Sequence, residues 1–134
     1  MFQFIKLFLI SAGIFLIFDI FWLIFSYNNL YKNHIGHLIG DFNIIPAVLF
    51  YIIYISALTF FVIMPSIDKQ SIYYVIMAGA FFGLVCYSTY DLTNLASIKN
   101  WSLTVTIIDI IWGTFVTSTT ATLVYLLVEK FGGK

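Results

Sequence analysis

Four long apolar runs constrain the fold of this chain more than any other feature of its sequence. Polar stretches at 27–41, 65–70 and 98–102 divide the 134 residues into runs of roughly twenty or more, the length that an α-helix needs to cross a bilayer. With 62% hydrophobic and 9% charged residues, the chain is more apolar than a soluble domain of this length. The runs lack the alternation of barrel strands, and a helix satisfies its own backbone hydrogen bonds in lipid. The sequence therefore predicts an all-α integral membrane protein whose surroundings are the lipid bilayer.

The predicted helices form one antiparallel four-transmembrane-helix bundle. They cover about 7–26, 43–64, 72–97 and 103–128. Short connections can join only antiparallel neighbours, so we expect a single transmembrane domain over 1–134. The first run contains Asp19 and is too long for the apolar region of a signal peptide, so we expect it to be retained as a helix.

The lysines are distributed unevenly between the two sides of this bundle. One side has Lys6, Lys69, Lys130 and Lys134, and the other has Lys32 and Lys99. Because loops rich in positive charge stay in the cytoplasm, we predict that both termini are cytoplasmic. The formal net charge is zero and the chain has no arginine, which excludes a basic surface for nucleic acid.

Three aspartates lie inside the predicted helices: Asp19 in the first, Asp91 in the third and Asp109 in the fourth. Each is six or seven residues from the helix end on the same side, a shared depth of roughly 9 to 11 Å at the rise of an α-helix. An aspartate in mid-bilayer costs about 2.5–3.5 kcal/mol, and the predicted spans contain no lysine or arginine to pair with it. Three carboxylates at low dielectric cannot all stay ionised, so we expect a proton or a bound cation among them.

Helical spacing places polar and aromatic side chains beside these acids. Tyr87 and Asn94 share the helix face of Asp91, and a tryptophan follows three positions after both Asp19 and Asp109. The second helix contributes tyrosines near the same end. The candidate residues for binding a ligand or a proton are Asp19, Asp91, Asp109, Asn94, Trp22, Trp112, Tyr51, Tyr54, Tyr87 and Tyr90.

Other polar or small residues have structural explanations. The threonine-rich run at 114–122 and the Gly79–Gly83 pair are typical of helix packing in membranes. The single cysteine lies in an apolar run, which excludes a disulfide framework within one chain. His34 and His37 have the spacing of metal ligands but lie in a loop without a confirmed third ligand. The sequence therefore predicts no metal site and identifies no cofactor.

The chain resembles a known family at many of these positions. The segments that carry the resemblance are Tyr90-Asp91-Leu92-Thr93-Asn94, Trp101, Asp109-x-x-Trp112-Gly113, Asp19-x-x-Trp22 and Pro46-Ala47-x-x-Phe50-Tyr51. On these residues the chain is identified as a member of an uncharacterised family of small bacterial predicted membrane proteins, a domain of unknown function, over essentially its whole length. The resemblance implies four helices and residence in the bacterial inner membrane, and it brings no established reaction or ligand.

Three functions are open on the sequence. The first is binding or transport of a proton or a small hydrophobic or cationic ligand at the acids, with a homodimer completing the pathway. The alternative is an intramembrane enzyme that acts on a lipid or isoprenoid by carboxylate acid–base chemistry. In the third, the aspartates are structural: they are protonated groups that hold helices together by hydrogen bonds, or they contact a larger partner, and Asp→Asn changes are nearly silent.

Overall fold

The described part of the chain folds into four long helices. In the computed structural model, which describes residues 2–26 and 44–131, they are α1 (Phe2–Ser26), α2 (Ile44–Lys69), α3 (Ile72–Ser97) and α4 (Leu103–Phe131). Each is long and apolar enough to cross a membrane, and many large apolar side chains point outward, where a bilayer surrounds them. The prediction of an all-α, four-helix membrane bundle is confirmed, and the chain is a multi-pass membrane protein.

Consecutive helices run in opposite directions, so the bundle has two distinct ends. At the α2–α3 end, α1 and α3 begin while α2 and α4 finish, and at the α3–α4 end the directions are reversed. The turn from α2 to α3 is tight, because Gln70 adopts a left-handed conformation with φ 51°. Ser71 then caps α3, with its Oγ accepting a hydrogen bond of 3.0 Å from the Tyr74 N–H.

Helix α2 continues to Lys69, past the end at residue 64 that the polar stretch at 65–70 predicts. A π-helical turn at Thr59–Ile63 separates two α-helical segments, and it closes with a bond from the Met64 N–H to the Thr59 carbonyl. Pro65 follows immediately and has no N–H to donate. The wider turn accommodates the proline without ending the helix, which is a usual role of π-bulges.

Helices α3 and α4 form the most extensive pair in the described bundle. Glycines line their contact, because a Cβ added at Gly79 would lie 2.9 Å from the Cα of Ser118, and one at Gly83 would overlap the Gly113 carbonyl oxygen. The two backbones therefore approach each other more closely than larger side chains would allow.

The buried core divides by chemistry along the bundle axis. Toward the α2–α3 end, buried polar side chains such as Ser11, Thr59 and Ser66 are uncharged. The buried members of the apolar cluster there are Leu7, Leu58, Val62, Ile63, Ile67, Val75, Ala121, Val124, Tyr125 and Val128. Toward the α3–α4 end a second core cluster of Phe15, Tyr54, Ile55 and Val116 leads to buried carboxyl groups. Among the described residues, the buried acidic side chains are therefore confined to one half of the bundle.

Candidate functional site

Three helices bring the intramembrane aspartates into one region near the α3–α4 end. Asp19 on α1 and Asp109 on α4 are each 7% exposed, and Asp91 on α3 is 0% exposed. Asp109 lies within electrostatic range of both of the others. Their similar distance from the helix ends accounts for this meeting, since adjacent antiparallel helices bring such residues to one level. We call these three residues the acidic cluster.

Asp91 and Asp109 form the closest pair of this cluster. Their carboxyl groups are neighbours. Within residues 2–26 and 44–131, no donor reaches either oxygen of Asp91, whose side chain is fully buried. Two carboxylate oxygens are both acceptors and repel each other when ionised. A proton or another cation between the oxygens would relieve this repulsion.

Asp19 has a partner on the second helix. The Tyr51 hydroxyl donates a hydrogen bond to Asp19 Oδ2, which joins α2 to α1. The Phe15 ring, one turn before Asp19, packs against Tyr51 at 5.8 Å and against Tyr54 at 4.9 Å between ring centroids. A hydrogen-bonded carboxylate with aromatic neighbours is thus held in a fixed orientation.

Tyr54 and Tyr87 complete the aromatic surroundings on the inner side of the cluster. The Tyr54 hydroxyl and Thr117 Oγ1 share a hydrogen bond between α2 and α4, and both side chains are buried. The Tyr87 ring lies directly against Gly113, where an added Cβ would overlap it. Tyr87 is also within electrostatic range of Asp19 and Asp109. These contacts place both tyrosines next to the acidic cluster.

The two candidate tryptophans meet across α1 and α4. The indole rings of Trp22 and Trp112 stack with centroids 4.6 Å apart and an interplanar angle of 8°. The Trp112 Nε1 is buried, and no acceptor for it lies in the described part of the chain. Each tryptophan follows an acid of the cluster by three positions, so the stack lies beside the carboxyl groups.

Two of the candidate residues lie apart from this arrangement. Tyr90 is 58% exposed, and its ring meets Trp101 edge-on at 6.0 Å. Its hydroxyl is within hydrogen-bonding range of Asn94 on the same helix. A step of one residue turns about 100° around a helix, so Tyr90 leaves the buried face that Asp91 occupies. Tyr90 and Asn94 form an outer pair beside the cluster.

The candidate ligand-binding residues do not include three residues that hold the site together, although helical spacing places these three on the same faces as Asp19 and Asp109. Phe15 supports Tyr51, Thr117 bonds Tyr54, and Gly113 receives the Tyr87 ring. The sequence predicts a packing role for most of the threonine-rich run that contains Thr117. The signal was its position on the face of Asp109, since Gly113 and Thr117 follow that acid at steps of four.

The described residues offer no group of three or more His, Cys, Asp or Glu that could hold a metal ion. His34 and His37, together with Lys32 and Lys134, lie outside the described residues. The chemistry that the described site supports is therefore that of carboxyl groups, phenolic hydroxyls and aromatic faces.

Comparison with known proteins identifies a family. Residues 4–126 match the family described as "Predicted membrane protein (DUF2177)". No curated protein and no solved structure matches the chain.

Proposed function

The chain belongs to the predicted membrane protein family DUF2177, and we propose that it binds a proton or a small organic cation at the Asp91–Asp109 pair and transports it. The family description states a membrane location and no activity. The proposal therefore rests on the chemistry of the acidic cluster.

The observation that carries the proposal is the environment of Asp91. This side chain is 0% exposed, finds no hydrogen-bond donor in the described ranges, and has another carboxyl group as its neighbour. A carboxylate in such a place is strongly unfavourable unless a positive charge or a proton neutralises it. Lys99, the described lysine at this end of the bundle, lies exposed in the connection after α3. An exchangeable cation supplies the missing charge.

The surroundings favour an organic cation as well as a proton. Trp22, Trp112, Tyr51 and Tyr87 present aromatic groups around the carboxyls, and aromatic faces attract cations while excluding water. A hydrophobic cation has the further advantage that it partitions into the bilayer next to the site. A proton and such a cation would then compete for the same carboxyl pair.

The test is binding of tetraphenylphosphonium, a hydrophobic organic cation, to the purified protein in detergent. Because protons compete for the carboxyl oxygens, we expect the affinity to rise as the pH rises, with one pH midpoint. Asp91→Asn removes a carboxylate from the pair and is expected to abolish this pH dependence. Asp68→Asn is the matched control, since Asp68 is exposed near the end of α2. Binding that is equal at every pH, or unchanged by Asp91→Asn, would refute the proposal.

Transport by this bundle would require a second copy of the chain. Four helices seldom enclose a complete pathway, so the proposal includes a homodimer in the bacterial inner membrane, with both termini cytoplasmic. Mass measurement of the protein–detergent complex tests the dimer. A monomer that still exchanges protons for the cation in liposomes would contradict this part of the proposal.

The same carboxyl pair favours a second function, that of an intramembrane enzyme. Two acids that share one proton can act as general acid and general base, and their place in the membrane gives access to a lipid or an isoprenoid. For this function, a deletion strain should have an altered lipid profile that the wild-type gene and Asp68→Asn restore and Asp91→Asn does not. Full restoration by Asp91→Asn would exclude catalysis by Asp91.

A further inference from the structure

We propose that Gly113 is a positioning residue that sets the distance between the carboxyl groups of Asp91 and Asp109, and so the pH at which the site exchanges its cation. This inference rests on the proposed function. It follows from the packing of α3 against α4 and from the place of the acid pair within that packing.

The contacts between α3 and α4 form a ladder with a step of one helical turn. Asp91 meets Asp109 at the end of the ladder. One turn farther in, Tyr87 meets Gly113, and one turn beyond that Gly83 meets Thr117. The acid pair is therefore the outermost step of a continuous contact, and its separation depends on the step directly next to it.

The Tyr87–Gly113 step has no spare room. A Cβ added at Gly113 would overlap Cγ, Cδ1 and Cδ2 of Tyr87, which belong to the near side of a rigid ring. The ring cannot move aside like the tip of a flexible chain, because Cγ is bonded directly to Cβ. At the next step, a Cβ at Gly83 would overlap the Gly113 carbonyl oxygen, so the backbones are also in contact there. A methyl group at residue 113 must push α3 and α4 apart or rotate Tyr87.

Separation of the helices at this step would be transmitted to the acid pair. Asp91 follows Tyr87 by one turn and Asp109 precedes Gly113 by one turn. Among the described residues, the other titratable groups within electrostatic range of the pair are Asp19 from α1 and Tyr87 and Tyr90 from α3, while Tyr51 of α2 acts through its bond to Asp19. None of these groups sets the distance between the two carboxyl groups. That distance depends on the separation of α3 and α4, which Gly113 keeps small.

The experiment compares Gly113→Ala with Gly13→Ala. Gly13 lies on α1 with nothing within 4 Å of an added Cβ, so it is a matched glycine-to-alanine control. Tetraphenylphosphonium binding is measured against pH. Carboxyls held farther apart repel each other less, so we expect the midpoint for Gly113→Ala to move to lower pH by about one unit. Gly13→Ala should keep the wild-type midpoint.

The overlap with the Tyr87 ring provides a second comparison. In a Tyr87→Ala background the added methyl group meets no ring, so Gly113→Ala should cause no further shift of the midpoint. If Gly113→Ala alone does not fold, the variant that combines it with Tyr87→Ala can still be measured, because it lacks the ring that the methyl group would overlap. A shift that persists in the Tyr87→Ala background would refute the mechanism.

A measurement that does not depend on cation binding separates the two proposals. The paired substitutions Asp91→Cys and Asp109→Cys in a Cys86→Ser chain report the distance by the rate of disulfide formation with an added oxidant, which requires close Cα atoms. Adding Gly113→Ala should slow this rate several-fold, and adding Gly13→Ala should not. If Gly113→Ala changes neither the disulfide rate nor the pH midpoint, while Asp91→Asn abolishes pH-dependent binding, the positioning role is wrong and the proposed function stands. If Asp91→Asn leaves binding unchanged, the proposed function itself fails.

Discussion

The indole rings of Trp22 and Trp112 stack almost parallel between two helices that run in opposite directions. Both belong to the same short pattern, an aspartate followed three positions later by a tryptophan. On antiparallel helices the two patterns point toward each other. The stack therefore joins α1 to α4 at the level of the carboxyl groups. Changing its two rings tests whether this contact holds the site together.

Replacing either tryptophan should lower the free energy of unfolding, because the other ring loses its stacking partner. Stacked aromatic pairs contribute about 0.5–1.5 kcal/mol beyond their buried area, so a double-mutant cycle of Trp22→Ala and Trp112→Ala should give a coupling free energy in that range. The measurement is unfolding in mixed detergent. Phe21→Ala, at a 71% exposed neighbour of Trp22, is the control and should show no coupling to Trp112→Ala. Additive effects of the two tryptophan changes would contradict the role of the stack.

The Tyr51 hydroxyl should stabilise the bundle through Asp19. Tyr51→Phe removes the donor and leaves a buried carboxyl oxygen without it, at an expected cost of about 1–3 kcal/mol in the free energy of unfolding. Tyr73→Phe makes the same chemical change on a 79% exposed side chain and should cost nothing measurable. In an Asp19→Leu background the effect of Tyr51→Phe should largely disappear. An equal cost in both backgrounds would show that the bond to Asp19 is not its source.

Two buried threonines should respond oppositely to the same substitution. Thr117 shares a hydrogen bond with Tyr54, so Thr117→Val leaves a buried hydroxyl unpaired and should destabilise the protein by about 1–3 kcal/mol. Thr59 Oγ1 in the π turn is buried and has no partner in the described ranges, so Thr59→Val should be neutral or stabilising. Thermal unfolding in detergent distinguishes them. Similar losses of stability for both variants would show that the hydrogen bond to Tyr54 does not determine the cost of Thr117→Val.

The lysines should orient the bundle in the membrane. In the described residues Lys6, Lys69 and Lys130 lie at the α2–α3 end and Lys99 lies at the other. We therefore expect a reporter fused to the C-terminus to be active in the cytoplasm and one inserted after Lys99 to be active outside it. Substituting Lys6 and Lys69 by glutamine should weaken this preference. A C-terminal reporter that is active only outside would reverse the topology.

The sequence was sufficient to predict the helices and the level of the acids. Runs of apolar residues long enough to span a bilayer have few alternatives, because only a helix satisfies the backbone there. The common level of Asp19, Asp91 and Asp109 needed only the antiparallel connection and the rise per residue. For the same reason the faces of Trp22, Trp112 and Tyr87 could be predicted from spacing alone.

The partners within the site could not be predicted in this way. Spacing gives the face of a helix but not its rotation against a neighbour, so the close pairing of Asp91 with Asp109, and the bonds of Asp19 to Tyr51 and of Tyr54 to Thr117, were not foreseen. The exposed position of Tyr90 was missed because neighbours in sequence point to different sides of a helix. The polar stretch at 65–70 sets the predicted end of α2 at residue 64, whereas the helix continues to Lys69 after a π turn that residue types do not reveal.

The short connection between α3 and α4 has a consequence for biogenesis. Asp91 leaves the ribosome before Asp109, and each aspartate alone in lipid costs about 2.5–3.5 kcal/mol during insertion by the translocon. With only residues 98–102 between the two helices, the second carboxyl follows soon after the first, so we expect α3 to be released into lipid together with α4 as a hairpin. Chains truncated before α4 should then expose α3 to a glycosylation or cysteine-labelling reagent that the complete hairpin excludes, and Asp91→Leu should allow α3 to enter the bilayer by itself.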